Sequence, residues 1–208
     1  MWLLPTRGRP RNLARLIEAW AGAATPVWLR LDDNDPALVD YLLLRLPVGW
    51  EREIGHRLSL GALYNGFRSQ RPALPWYGAL ADDVVPVTPG WDRALIEAAG
   101  ADGMAVPSGG ETTGGCPHFV LGGDLVRSVG WLALPGLERL YIDTVWERIA
   151  EARAVLRRCP DVRLEHRHFS NRLSLFDPTY RKPSREADRA IYEAWKKEGA
   201  AGAAPVGP

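Results

Sequence analysis

At 208 residues, 46% hydrophobic and 25% charged, the chain has the length and composition of one globular domain with a substantial core. Its formal charge of +1 supplies no global drive toward nucleic acid or an anionic membrane. Cys116 and Cys159 lack the spacing of a disulfide framework or a zinc ribbon, and no apolar run forms a secretory leader or reaches membrane-spanning length, which predicts a reduced, cytoplasmic protein without membrane insertion.

Taken in chain order, strands alternate with helices. Trp2 to Leu4 reads as a short strand broken by Pro5-Thr6-Arg7-Gly8-Arg9-Pro10, after which Leu13, Leu16, Ile17 and Trp20 recur at helical spacing. Pro26 to Leu31 is the second strand and ends in Asp32-Asp33-Asn34-Asp35-Pro36. A helix from Ala37 to Leu44, a weak strand from Trp50 to Ile54 and a helix from Leu58 to Phe67 follow. The run from Trp76 to Pro86 reads as one buried strand that carries Asp82 and Asp83, and Pro89 to Ala99 reads as a helix. Strands alternating with helical segments predict a largely parallel sheet.

The second half is less regular. Met104 to Pro107 is a strand, Ser108 to Gly115 a Gly-rich loop, His118 to Gly122 a strand, and Asp124 to Val129 a short helix. Asp143 to Leu156 reads as a longer helix with an Asp-Thr start. Asp161 to Phe169 reads as a final strand in which Val162, Leu164, His166 and His168 share one face. The chain divides into a main domain over 1–182, a polar helix over 183–198, and a tail over 199–208 too rich in Ala, Gly and Pro to pack.

Two adjacent carboxylates after a buried strand carry the chemistry. They repel unless a cation lies between them or one is protonated, so a divalent metal with a polyanionic ligand accounts for the pair. Lysine occurs only at Lys182, Lys196 and Lys197, and the remaining cations are arginines, which favour bidentate phosphate contacts. The opening loop lacks the glycine-lysine arrangement of a P-loop and the Gly-x-Gly-x-x-Gly turn of a dinucleotide site.

Four motifs in order resemble a small GT-A glycosyltransferase similar to family 2 enzymes: Leu4 to Pro10, the strand ending Asp32-Asp33, Asp82-Asp83 followed by Pro89-Gly90-Trp91-Asp92, and the late His166-Arg167-His168. The resemblance runs from residue 2 to about residue 181. It implies an α/β fold, a Rossmann-like, mostly parallel sheet flanked by helices in a single domain. It also implies transfer of a sugar from a nucleoside-diphosphate sugar to an acceptor hydroxyl, with inversion. Pro5, Thr6 and Arg7 would then lie near the ribose and pyrophosphate, and Asp32 or Asp33 at the base. Asp82-Asp83 would be a shortened DXD motif, Asp82 facing the ribose and Asp83 binding Mn2+ or Mg2+, with their roles open to exchange. His166 or His168 would complete the metal shell, and imidazole beside carboxylate favours manganese. His118 is a weaker candidate for the acceptor pocket. Asp143 would be the catalytic base, with Glu138 in reserve. The acceptor stays open among saccharides, lipids, proteins and modified nucleobases. A nucleotidyltransferase and a polyanion-binding module without catalysis are the competing readings.

Overall fold

The computed structural model describes residues 1–20, 23, 25–108, 115–167, 173 and 185–199. Its strands form one mixed eight-stranded sheet in the order β3-β2-β1-β4-β7-β6-β8-β5. The parallel half is built from β1 (Trp2–Thr6), β2 (Val27–Asp32), β3 (Trp50–Gly55) and β4 (Trp76–Ala79). Helices α1 (Pro10–Ala19), α2 (Leu38–Leu42) and α3 (Leu60–Gln70) connect these strands as crossovers. Pro10 opens α1, where its missing N–H costs nothing, and Ser59 caps α3 by accepting from Ala62 N at 3.2 Å.

The second half turns antiparallel. After β5 (Val84–Pro86), α4 (Trp91–Ala99) and β6 (Met104–Ser108), strand β7 (Phe119–Gly122) inserts between β4 and β6 and runs against both. Helices α5 (Gly123–Val129) and α6 (Ile142–Ala152) follow. The long β8 (Leu156–His166) pairs parallel with β6 through its first half and antiparallel with β5 through its end. Helix α7 (Arg185–Lys197) packs back onto the domain through Tyr192 and Trp195, which are buried in its core.

Alternation along β1 divides the core into two layers. Leu3 faces Trp28, Phe67, Tyr77 and Trp146 on one side of the sheet, whereas Trp2 and Leu4 face Leu13, Leu16 and Leu95 on the other. Trp2, Trp20, Trp50 and Trp91 pack with ring centroids 4.9 to 5.2 Å apart, tying α1, α4 and β3 to β1. The fit leaves no room at Gly78. A Cβ there would stand 2.3 Å from Trp2 Cε3.

Three expectations are corrected. The single strand expected over residues 76–86 is two, because the chain turns at Asp82-Asp83 and β5 leaves β4 to pair with β8. The last strand starts at Leu156, five residues before the expected Asp161, because Leu156 to Cys159 add beside β6. Helix α6 accordingly ends at Ala152, and it begins at Ile142 with Tyr141 as its N-cap, so Asp143 sits in the first turn and does not cap it. The Gly-rich loop lies outside the described residues between 109 and 114, as do His168 and the tail from residue 200.

Candidate active site

The site gathers at the carboxyl ends of β1, β2 and β4, where open α/β sheets collect ligands. Thr6, the last residue of β1, donates its hydroxyl to Asp82 Oδ2 at 2.5 Å and lies 3.0 Å from the Tyr41 hydroxyl. Gly8, at φ 68°, lets the loop turn back so that its N–H reaches Asp35 Oδ2 at 2.8 Å and Arg9 N reaches Tyr41 Oη at 2.6 Å. That turn aims two arginines in different directions. Arg7 binds Asp32 Oδ2 at 2.9 Å and Asn34 Oδ1 at 2.7 Å, beside β2. Arg9 bridges the acidic pair, 3.2 Å from Asp82 Oδ1 and 3.3 Å from Asp83 Oδ2.

On the far side of the pair stands β8. His166 Nε2 lies 3.3 Å from Asp83 Oδ1, and Arg167 N donates to the Asp83 carbonyl at 2.6 Å. His118, 0% exposed, sets its ring edge-on to His166 with centroids 4.9 Å apart, and among the described residues neither of its nitrogens has a hydrogen-bond partner. Burial, followed by the His166 charge, lowers the His118 pKa to about 3, so the ring is neutral. The two carboxylates are pushed apart. Burial raises Asp82 to about 6 against the pull of Arg9. Burial also opposes ionisation of Asp83, but the bond and charge of His166, with help from His118 and Arg9, outweigh it and hold Asp83 at about 2.

The residues just before His118 touch α6. Cys116 donates its N–H to Glu147 Oε1 at 2.7 Å, and its thiol bonds the His118 carbonyl at 3.2 Å. Three residue steps separate Gly115 from His118, so their Cα atoms are at most about 11 Å apart. A Cβ on Gly115 would stand 3.2 Å from Asp143 Oδ2 and from Glu147 Oε1, and the backbone there has φ 146°, so glycine alone suits the position. Asp143 Oδ1 accepts from Thr144 N at 2.8 Å, which leaves Oδ2 facing Gly115. Burial foremost, and the neighbouring Glu147 carboxylate next, raise the Asp143 pKa.

The structure therefore unites Thr6, Asp82, Asp83 and His166, with Arg7 and Asp32 joined to them through the first loop. Pro5 is a ladder residue of β1 opposite Arg30. Asp33 is exposed, its carboxylate 2.6 Å from His56 Nδ1. Glu138 is exposed in the loop before α6. Arg9, Tyr41 and Glu147 join the site without a motif that marks them in the sequence. Only the Arg-Gly-Arg spacing pointed to Arg9, since a turn at the glycine separates the directions of its neighbours.

A divalent ion finds two donors of suitable chemistry in the Asp83 carboxylate and the His166 imidazole. Among the described residues no three His, Cys, Asp or Glu side chains converge to enclose an ion. A shell completed by diphosphate oxygens and water needs no third, so the residues present fit such an ion.

No protein-family model matches the chain, and no curated protein matches it in sequence. Solved structures do. The mannosyltransferase PcManGT from Pyrobaculum calidifontis, in complex with GDP-Man and Mn2+, superposes with a TM-score of 0.59 at 9% identity over 97% of this chain and 75% of that one. The fold is GT-A. S. aureus TarS has a TM-score of 0.52 at 11% identity, covering 77% of this chain and 35% of its own. HddC from Yersinia pseudotuberculosis has a TM-score of 0.51 at 9% identity, over 78% of this chain and 91% of that one. At these identities the GT-A likeness fixes the path of the chain and leaves the chemistry to the side chains. Among the described residues no helix is long and apolar enough to cross a membrane.

Proposed function

We propose that this protein transfers a sugar from a nucleoside-diphosphate sugar to an acceptor hydroxyl, with inversion at the anomeric carbon. The observation that carries the reading is the Asp82-Asp83 turn, held by Thr6 and Arg9 on one side and met by His166 on the other, in a GT-A fold. PcManGT, which shares the fold, is known in complex with GDP-Man and Mn2+, and that supports a nucleotide-sugar donor.

Each residue then has a task. Arg7, Asp32 and Asn34 line the nucleoside end, with Asp33 and His56 at the outer edge. Arg9 presents a cation to the diphosphate, and Asp82 faces the ribose. Asp83 and His166 would hold a Mn2+ or Mg2+ ion, which would supply charge stabilisation for the departing diphosphate. Asp143 accepts the proton of the acceptor hydroxyl at Oδ2 as that hydroxyl attacks, and its raised pKa improves it as a base near neutral pH. Cys116 to His118, linking α6 to the Asp83 cluster, set the distance between acceptor and donor.

The test is a thermal-shift panel of GDP, UDP, dTDP and their sugar conjugates, with and without MnCl2, followed by product analysis. One nucleotide should stabilise the protein by about 2.7 kcal/mol at a hundred times its Kd, and only with the metal. Turnover should release a nucleoside diphosphate. Inertness toward every sugar conjugate, with condensation of a nucleoside triphosphate and a sugar 1-phosphate to release pyrophosphate, would assign a nucleotidyltransferase, and a panel without any stabilising nucleotide would remove the reading altogether.

A further inference from the structure

Helix α7 returns to the domain and seizes the loop that leads into α6. Asp188, in its first turn, is 0% exposed. Its carboxylate accepts three consecutive backbone N–H groups, with Oδ1 bonded to Glu138 N at 2.7 Å and Oδ2 to Arg139 N at 3.0 Å and Leu140 N at 2.8 Å. Successive amides converging on one anion form a nest, and bonds to an ionised acceptor are the strong ones. From the opposite side Gly61, in α3, donates its N–H to the Glu138 carbonyl at 3.0 Å.

The next residue is strained. Tyr141, the N-cap of α6, has φ 65°, a left-handed backbone that a bulky side chain rarely adopts. Its ring stacks on Tyr192 of α7, centroids 4.7 Å apart and planes 7° from parallel, and the Tyr192 hydroxyl accepts from Arg148 Nε at 2.5 Å. Strain of this kind persists only where the surroundings over-determine it. Here the surroundings are α7, and the turn they hold ends two residues before Asp143.

We propose that Asp188 is a positioning residue: through the amides of residues 138–140, and with Tyr192 stacked on Tyr141, it fixes the first turn of α6 and thereby the aim of the Asp143 carboxylate. The inference rests on the assignment of Asp143 as base. Asp188→Asn keeps the size of the side chain but replaces one oxygen by a donor that opposes the inward N–H groups, so the loop loosens. Tyr192→Leu removes the stacked ring and leaves the Asp188 bonds intact, a second route to the same effect.

Two measurements on the 208-residue chain test it. The first is a carbon-13 titration of the aspartate carboxyls, which needs no substrate. Asp143 faces Glu147 from its own helix and Tyr64 from α3, with Arg158 of β8 against Glu147. In wild type its carboxyl should titrate above the ordinary range, and in Asp188→Asn and Tyr192→Leu it should move back toward that range. The second is turnover of GDP-mannose, UDP-glucose or dTDP-glucose, whichever the wild type uses. Asp188→Asn should lower kcat about tenfold to a hundredfold at unchanged donor KM, and should add nothing further in an Asp143→Asn background.

A folded Asp188→Asn or Tyr192→Leu protein with an unshifted Asp143 titration overturns the proposal, as does a kcat loss that multiplies with that of Asp143→Asn. Near-normal turnover by Asp143→Asn alone would instead remove the base assignment, and the carboxyl titration would still decide whether α7 governs that side chain.

Discussion

His166, at the end of β8, meets Asp83, on the turn between β4 and β5, with Nε2 3.3 Å from Oδ1 although 83 positions separate them in the chain. The contact exists because β8 is long enough to pass β6 and then pair with β5, with Val84 opposite His166. As a donor pair the two residues should act jointly. Asp83→Asn and His166→Ala are each expected to weaken manganese-dependent nucleotide binding by at least about tenfold, the lower bound for disturbing even the outer partners of a metal ligand. Calorimetric titration of GDP or UDP with MnCl2 checks this. Wild-type affinity in both variants would leave the pair a structural contact.

Arg9 is the only cation seen between the two aspartates among the described residues, and all three side chains are nearly buried, at 11%, 6% and 5% exposure. Removing one partner from a buried ion pair leaves the other charge uncompensated. Arg9→Met should therefore cost about 3 kcal/mol, read as a lower urea midpoint. A bound divalent ion can replace the lost charge, so MnCl2 should raise the Tm of this variant by more than it raises that of wild type. Equal metal-induced shifts would separate Arg9 from the ion.

Asp143 makes opposite demands on activity and stability. If its Oδ2 takes the acceptor proton, Asp143→Asn should lower turnover by about two to four orders of magnitude while donor binding is retained. Because the fold raises the pKa of this carboxyl, its ionised form is held at a cost at neutral pH. The Asn variant, which keeps the Oδ1 acceptor for Thr144 N, should therefore melt higher than wild type at pH 7. That advantage should shrink as pH falls and vanish below the ordinary value of 3.8, where folded and unfolded chains are both protonated. Scanning calorimetry from pH 3.5 to about pH 7 measures it. A lower Tm for the variant at every pH would assign Asp143 a net stabilising role.

Gly61 offers a test of packing against propensity. Alanine is favoured over glycine in a helix by about 1 kcal/mol. At this position, however, a Cβ would stand 1.9 Å from the Leu137 carbonyl oxygen, a backbone atom that cannot swing aside. The clash should win, and Gly61→Ala is expected to destabilise the protein by about 1–3 kcal/mol, measured by urea unfolding. Because Leu137 adjoins the loop held by Asp188, this variant should also lose turnover out of proportion to its stability. A neutral or stabilised variant would mean that the loop can shift freely.

Local signals in the sequence were enough for the strand-helix alternation, for the Asp32-Asp33 and Asp82-Asp83 motifs and for the shared face of Val162, Leu164 and His166, because each depends on side-chain periodicity or on turn chemistry within a few residues. Periodicity cannot report pairing partners. That Trp76 to Pro86 breaks at its carboxylates, and that β8 begins at Leu156, depended on β5 and β6 finding β8 from opposite ends. The direction of Arg9 toward the aspartates and of Arg7 away from them came from the turn at Gly8. The polar helix near the end of the chain carried no sign of its role, since Asp188 gains its partners only when α7 lies against a loop about fifty positions earlier. Periodicity and turn chemistry are enough to specify which elements form and which carboxylates follow them. Tertiary structure decided which charges share one buried space, because burial and long-range contact, rather than local preference, set the pKa of Asp82, Asp83 and Asp143.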